Sequence, residues 1–179
     1  LSAGGSSYFD LVARGFGAVS GLSRPVRAVL RSGCYLTSDH GTYERMIAEL
    51  NVREAEQDGL RPALEVWAMV QSRPEPTLAI LTMGKRDASY DADLPIPLSW
   101  HRPGPGAPHA LPAGCSIYKL NDQHAYLRLP EGDALCTELA VGDLVGCGIS
   151  HPCTTFDKWP LILGVDDDYH VRGVYNTLF

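Results

Sequence analysis

Three absences narrow this chain before any motif is considered. It has no basic cluster: 15 lysines and arginines face 21 aspartates and glutamates, a formal charge of −6. A nucleic-acid surface needs a positive stripe to displace counterions, so that partner is not expected. It has no apolar run long enough to cross a bilayer as a helix, so no membrane partner is expected either. Its five cysteines, at 34, 115, 136, 147 and 153, are odd in number and form no CxxC pair. A disulfide framework fits poorly, and reduced thiols in a cytoplasmic setting are the expectation. No charged-then-apolar leader is visible.

What is present suffices for a buried core. The chain has 179 residues, 45% of them hydrophobic, enough for one good-sized domain or one domain plus part of another. Its opening, "LSAGGSSYFDLV", reads as the end of a strand, a glycine turn and the start of a helix. Domains seldom begin so, and a piece of a longer protein is the expectation. Residues 26–40 read as a strand ending sharply at Gly33, and Tyr43, Ile47 and Leu50 give helical spacing over 41–54. From there the pattern changes to period two. Strands are expected over 63–72, 77–84, 115–121, 124–129, 143–150, 159–166 and 170–178, separated by Pro, Gly, Asn and Asp turns. Residues 101–114 read as a Pro/Gly loop. The expected fold is a mostly β domain, barrel or sandwich, over 27–179, preceded by a short α/β remnant over 1–26.

Several short stretches could carry chemistry. His151 and Cys153 stand two apart in "GISHPCTTFDKW". On an extended or turning segment both side chains reach one side, and imidazole plus thiolate suits zinc. A buried histidine beside a core cysteine is the plainer alternative. A cysteine nucleophile with its base is weaker, because no third group orients the pair. The Gly4-Gly5-Ser6-Ser7 turn before a helix can seat an anion on backbone N–H groups, or merely cap the helix. Arg31-Ser-Gly33-Cys34-Tyr35 offers a second seat, with a plain strand-ending turn as the alternative. Asp39 reads as a helix cap, "GKRDASYD" (84–91) as a solvated loop, His124 as a structural strand-start histidine, and Asp166 to Asp168 as a charged turn.

Taken in order, "GGSSYFD", "LRSGCYLTSDHGTY", "GKRDASYDADLP", "NDQHAYL" and "GISHPCTTFDKW" resemble the C-terminal half of the D-serine dehydratase and D-threonine aldolase group. These are fold-type III pyridoxal-phosphate (PLP) enzymes, relatives of alanine racemase. The resemblance implies a PLP-binding (β/α)8-type barrel, of which residues 1–26 would be the last βα part, followed by a mostly β domain. It implies that His151 and Cys153 hold a metal, zinc by the dehydratase pattern and manganese as the alternative. It implies that Gly5, Ser6, Gly33 and Cys34 cup the cofactor phosphate, with Tyr35 in the same stretch. Arg31 falls, by a looser match, where alanine racemases place an arginine facing the pyridine nitrogen. His124 is a candidate for proton transfer.

The resemblance also implies a cofactor-bearing lysine near the start of the barrel. The three lysines here, at 85, 119 and 158, match no such position. This stretch alone is therefore expected to be inactive, its parent being a lyase. The barrel would come from the same or another chain, and the assembly would be a homodimer. The expected substrate is a D-hydroxyamino acid. A thiolate at the second ligand position favours deamination to an α-keto acid and ammonia. A D-threonine aldolase giving glycine and an aldehyde, or a non-catalytic metal-binding β module, are the alternatives.

Overall fold

In the computed structural model, which describes residues 1–54 and 60–178, period-two burial writes out the sheet directly. The chain opens with β1 (Ser2–Ala3), α1 (Phe9–Gly17) and β2 (Val29–Leu30), the two strands pairing in parallel. A 3-10 turn (Cys34–Leu36) and helix α2 (Thr42–Glu54) follow. The Asp39 carboxylate caps α2, its Oδ1 accepting from the N–H groups of Gly41 and Tyr43 at 2.8 Å each.

Then come β3 (Glu65–Glu75), β4 (Leu78–Leu81), β5 (Ile96–His101), β6 (His109–Ala110), β7 (Ser116–Leu120) and β8 (Ala125–Arg128). A single turn α3 (Leu135–Glu138) leads to β9 (Leu144–Gly148) and a second single turn, α4 (Cys153–Phe156). Strands β10 (Leu161–Val165) and β11 (Val171–Asn176) form a separate hairpin.

Seven strands form one antiparallel sheet in the order β6-β5-β9-β3-β4-β8-β7. The sheet curls, bringing β7 back towards β5. The mostly β expectation holds, as a curled open sheet. Along β3, Val66, Ala68 and Val70 turn inward while Trp67 and Met69 turn out, the alternation a pleated strand imposes. Val70, Leu81, Leu127, Val145 and Ile149 are wholly buried in the core, each contributing about 2 kcal/mol by leaving water. Strand β9 is central, pairing with β3 on one side and β5 on the other, and is buried from Val145 to Gly148.

Strands β5 and β6 are where sequence and structure differ. The Pro/Gly stretch read as a loop over 101–114 contains β6 and the end of β5. Prolines mask the pattern. Pro97 lies inside β5, at a register shift between Pro97 and Ser99 opposite β9, the kind of irregularity that tolerates a missing N–H. Asp143, buried before β9, takes both arms of Arg102 at 2.9 Å and the N–H of Ala140 at 2.8 Å.

Candidate functional site

The two candidate anion seats lie side by side. In the parallel register Ser2 faces Val29 and Ala3 faces Leu30. The Gly4–Ser7 turn and the Arg31–Gly33 turn therefore leave the same edge of the pair. The Arg31 N–H donates to the Ala3 carbonyl at 2.8 Å, and a side chain at Gly4 would meet the Arg31 carbonyl at 2.6 Å. Gly5 has φ +145°, and the space over both Gly5 and Gly33 is open within 4 Å. An anion can thus approach backbone N–H groups from both turns without meeting a Cβ. Phe9 at the start of α1 meets the edge of Tyr35, ring centroids 4.7 Å apart. Arg31 is exposed and donates from Nε to Ser2 Oγ at 2.6 Å.

His151 and Cys153 follow the end of β9. They do not sit on an extended segment: Pro152 is in the helical region at φ −65°, ψ −32°, and Cys153 opens α4. The His151 Nδ1 is 2.7 Å from Asp91 Oδ2. The Cys153 Sγ lies 3.0 Å from the Cys34 Sγ. Burial, and then the Cys34 thiol beside it, push the Cys153 thiol up to about 11. A protonated thiol touching another thiol, with no hydrogen bond to His151 among those described, is not an activated nucleophile. A cation would be the group that draws out its thiolate, and an imidazole and a thiol make a donor set that suits zinc. The residues present fit the metal.

Tyr43 joins the two halves. Its hydroxyl neighbours both the Cys34 thiol and the Ser6 hydroxyl. Burial first, and then Cys34, push it up to about 12. Ser6, Tyr43, Cys34 and Cys153 thus form one row of neighbours from the first candidate anion seat to the candidate metal pair. Open glycine cradles on both turns make the same site fit a cofactor phosphate.

A second wall comes from residues 39–41 docking on 148–150. The His40 N–H donates to the Ile149 carbonyl at 2.9 Å. A Cβ at Gly148 would lie 2.5 Å from His40 Nδ1, and one at Gly41 would lie 2.9 Å from Ser150 Cβ. Burial raises the Asp39 carboxyl above its ordinary value, opposed by the N–H groups of Gly41 and Tyr43 and by His151. Burial also lowers the His40 imidazole.

His124 stands elsewhere, in the turn between β7 and β8 beside Lys85, Asn121 and Asp122. Among the described residues no contact joins it to His151. A cavity of about 710 Å³ lies between β3 and the β10–β11 hairpin, with Trp67, Trp159 and Tyr169 in its lining; Asp166 and Asp167 border it, and His151 and Cys153 do not. The sequence reading missed Asp91, placed in a solvated loop, and Tyr43, read only as an apolar helix position. Nothing local marks either; the fold brings them in.

The comparisons come to the same region. The model of a family described as "Putative serine dehydratase domain" matches residues 63–165. No curated protein matches. Among solved structures, D-threonine aldolase from Filomicrobium marinum matches at 20% identity and TM-score 0.69, over 99% of this chain and 40% of its own. D-threo-3-hydroxyaspartate dehydratase from Delftia sp. HT23 matches at 20% identity and TM-score 0.57, over 84% of this chain and 39% of its own. Two variants of a D-threo-3-hydroxyaspartate dehydratase match at TM-score 0.58: one with alanine for a histidine, one with alanine for a cysteine two positions later, the latter metal-free. An alanine racemase-like protein from Idiomarina loihiensis matches at 16% identity and TM-score 0.57, over 84% of this chain and 38% of its own. The chain spans about 40% of the length of the structures it matches.

Proposed function

This chain belongs to the serine dehydratase domain family, and from that premise we propose that it is the C-terminal portion of a PLP- and zinc-dependent D-amino acid deaminase. The reaction is of the D-serine or D-threonine dehydratase type, giving an α-keto acid and ammonia. The observation that carries the proposal is the row of neighbours Ser6, Tyr43, Cys34 and Cys153, with its two sulfurs 3.0 Å apart. It supports reading the candidate anion seat and the candidate metal pair as one site.

In this reading the backbone of Gly5, Ser6, Gly33 and Cys34 holds the cofactor phosphate, and His151 and Cys153 hold the zinc. Bound PLP supplies an electron sink for the carbon bearing the amino group, and bound zinc a Lewis acid for a β-hydroxyl. The chain's own residues bind and orient. The Gly-Ser turn donates N–H groups, Tyr43 stands between the Ser6 hydroxyl and the Cys34 thiol, and Cys153 contributes the soft ligand. The dehydratase variants support the metal pair: their replaced histidine and cysteine stand two positions apart, as His151 and Cys153 do, and the structure of the cysteine variant is of its metal-free form.

The aldolase reading keeps the same residues and differs in the bond broken; a soft thiolate favours zinc and deamination over a harder metal. Exposed Leu11, Val29 and Leu30 support a further segment lying over the β1-α1-β2 unit. In the proposal that segment is the rest of a barrel bearing the cofactor lysine, from the same or another chain of a homodimer.

The test is a product assay on the intact parent protein with PLP and zinc added and D-threonine as substrate. The expected products are 2-oxobutyrate and ammonia, lost in His151→Ala and Cys153→Ala. Glycine and acetaldehyde would establish the aldolase instead. Manganese without zinc in the purified protein would overturn the metal assignment.

A further inference from the structure

We propose that Asp91 is the positioning residue of the metal pair: it holds His151 in the Nδ1–H tautomer and so reserves Nε2 for the metal. The inference rests on the metal reading above and goes beyond it, because no local motif or family match assigns Asp91 a role.

The geometry begins with the 2.7 Å contact between His151 Nδ1 and Asp91 Oδ2. A surface carboxylate is ionised at neutral pH and can only accept. The proton in this bond therefore belongs to Nδ1. In a neutral imidazole the other nitrogen then carries the free lone pair, and a lone pair is what a cation binds. A metal-bound histidine is commonly fixed in this way by a carboxylate on its second nitrogen.

Asp91 is not a surface charge that happens to swing close. Its other oxygen, Oδ1, accepts from Thr154 Oγ1 at 3.3 Å. The carboxylate thus touches the residues on both sides of the Pro152-Cys153 step. Its loop is pinned before and after it. Two residues earlier, the Ser89 N–H donates to Thr155 Oγ1 at 3.1 Å. Two residues later, Asp93 Oδ2 accepts from Ser150 Oγ at 3.0 Å and from Arg45 at 2.9 Å. The Trp159 indole N–H adds a bond to the Asp87 carbonyl at 2.7 Å. The segment from 87 to 93 is therefore sewn along the segment from 150 to 159, with Asp91 opposite His151. An exposed ion pair contributes little to folding stability. What this one supplies is orientation, set in place before any metal arrives.

The experiment compares the unaltered protein with Asp91→Asn and Asp91→Ala. Asparagine keeps an acceptor oxygen for Nδ1–H; alanine removes it. Asp91 is half exposed, so both variants should fold. The first readout is the tautomer of His151 in zinc-free protein, from two-bond proton–nitrogen NMR of labelled histidine, with the signal assigned through His151→Gln. The expected result is Nδ1–H in the unaltered protein and in Asp91→Asn, and a shift towards Nε2–H in Asp91→Ala. The second readout is zinc affinity by competition with a chromophoric chelator. Asp91→Ala should bind about 10–100-fold more weakly, with Asp91→Asn between it and the unaltered protein. An unchanged tautomer together with unchanged affinity in Asp91→Ala overturns the proposal. If the unaltered protein takes up no zinc, the metal reading falls by itself, and the NMR comparison still decides whether Asp91 sets the tautomer.

Discussion

Replacing Gly148 by alanine tests the docking that builds the site's second wall. Gly148 ends the central strand β9, paired with Glu65 of β3 and Ile96 of β5. Its backbone cannot retreat without breaking ladder hydrogen bonds on one side or the other, each worth about 1 kcal/mol. The new methyl would lie 2.5 Å from His40 Nδ1 and 2.8 Å from His40 Cβ. Ordinary carbon contacts begin near about 3.5 Å, so the His40 side chain has to move by most of an ångström. His40 is itself held, its N–H bonded to Ile149. Overpacking of this kind costs about 1–3 kcal/mol. With a urea slope of about 2 kcal/mol per molar, the unfolding midpoint should fall by about 0.5–1.5 M with the slope unchanged. The second arm removes the obstacle. In His40→Ala/Gly148→Ala the clash is gone, and a double-mutant cycle should return about 1–2 kcal/mol of coupling. A Gly148→Ala midpoint equal to the parent's would refute the close approach. A loss of stability with no coupling to His40 would refute the assignment of the clash to that ring.

Four further outcomes follow from other parts of the fold. Arg102 beside Asp143, working against burial, holds that carboxyl below the usual carboxylate range. Its folded value is thus lower than its unfolded one, so its stabilisation is present above about pH 4 and is lost as pH falls through the folded value. Asp143→Asn should flatten the acid limb of a stability–pH profile measured by urea unfolding; an unchanged limb would remove Asp143 from the account. The 3.0 Å approach of Cys34 and Cys153 predicts that dibromobimane bridges them in metal-free protein, with fluorescence lost in Cys34→Ser. Cys147, fully buried with its thiol pushed up by that burial, should stay unlabelled until the protein unfolds. Leu127, wholly buried on β8, should cost about 2–5 kcal/mol when cut to alanine; a loss under 1 kcal/mol would mean that the core is looser than drawn.

How much of this was legible depends on how far apart in the chain the partners lie. The inward residues of β3, β4 and β8 announce themselves, because burial on a pleated strand writes a period of two into consecutive residues. Strand β5 does not, because Pro97 interrupts it and only the register shift against β9 makes room for that proline. The site divides in the same way. His151 and Cys153 are two residues apart, so spacing and type mark them as a candidate pair. The bonds that give them direction are not: His151 to Asp91 spans 60 residues, and Cys34 to Cys153 spans 119. From the sequence, Asp91 is one charge in a charged loop, and the missing orienting group counted against a paired role for the histidine. The fold supplies that group but gives it to His151 alone, while Cys153 faces a second thiol instead of the imidazole. A nucleophile and its base would need the thiol and imidazole bonded to each other. Here each is held by its own distant partner, which argues against a nucleophile–base pair.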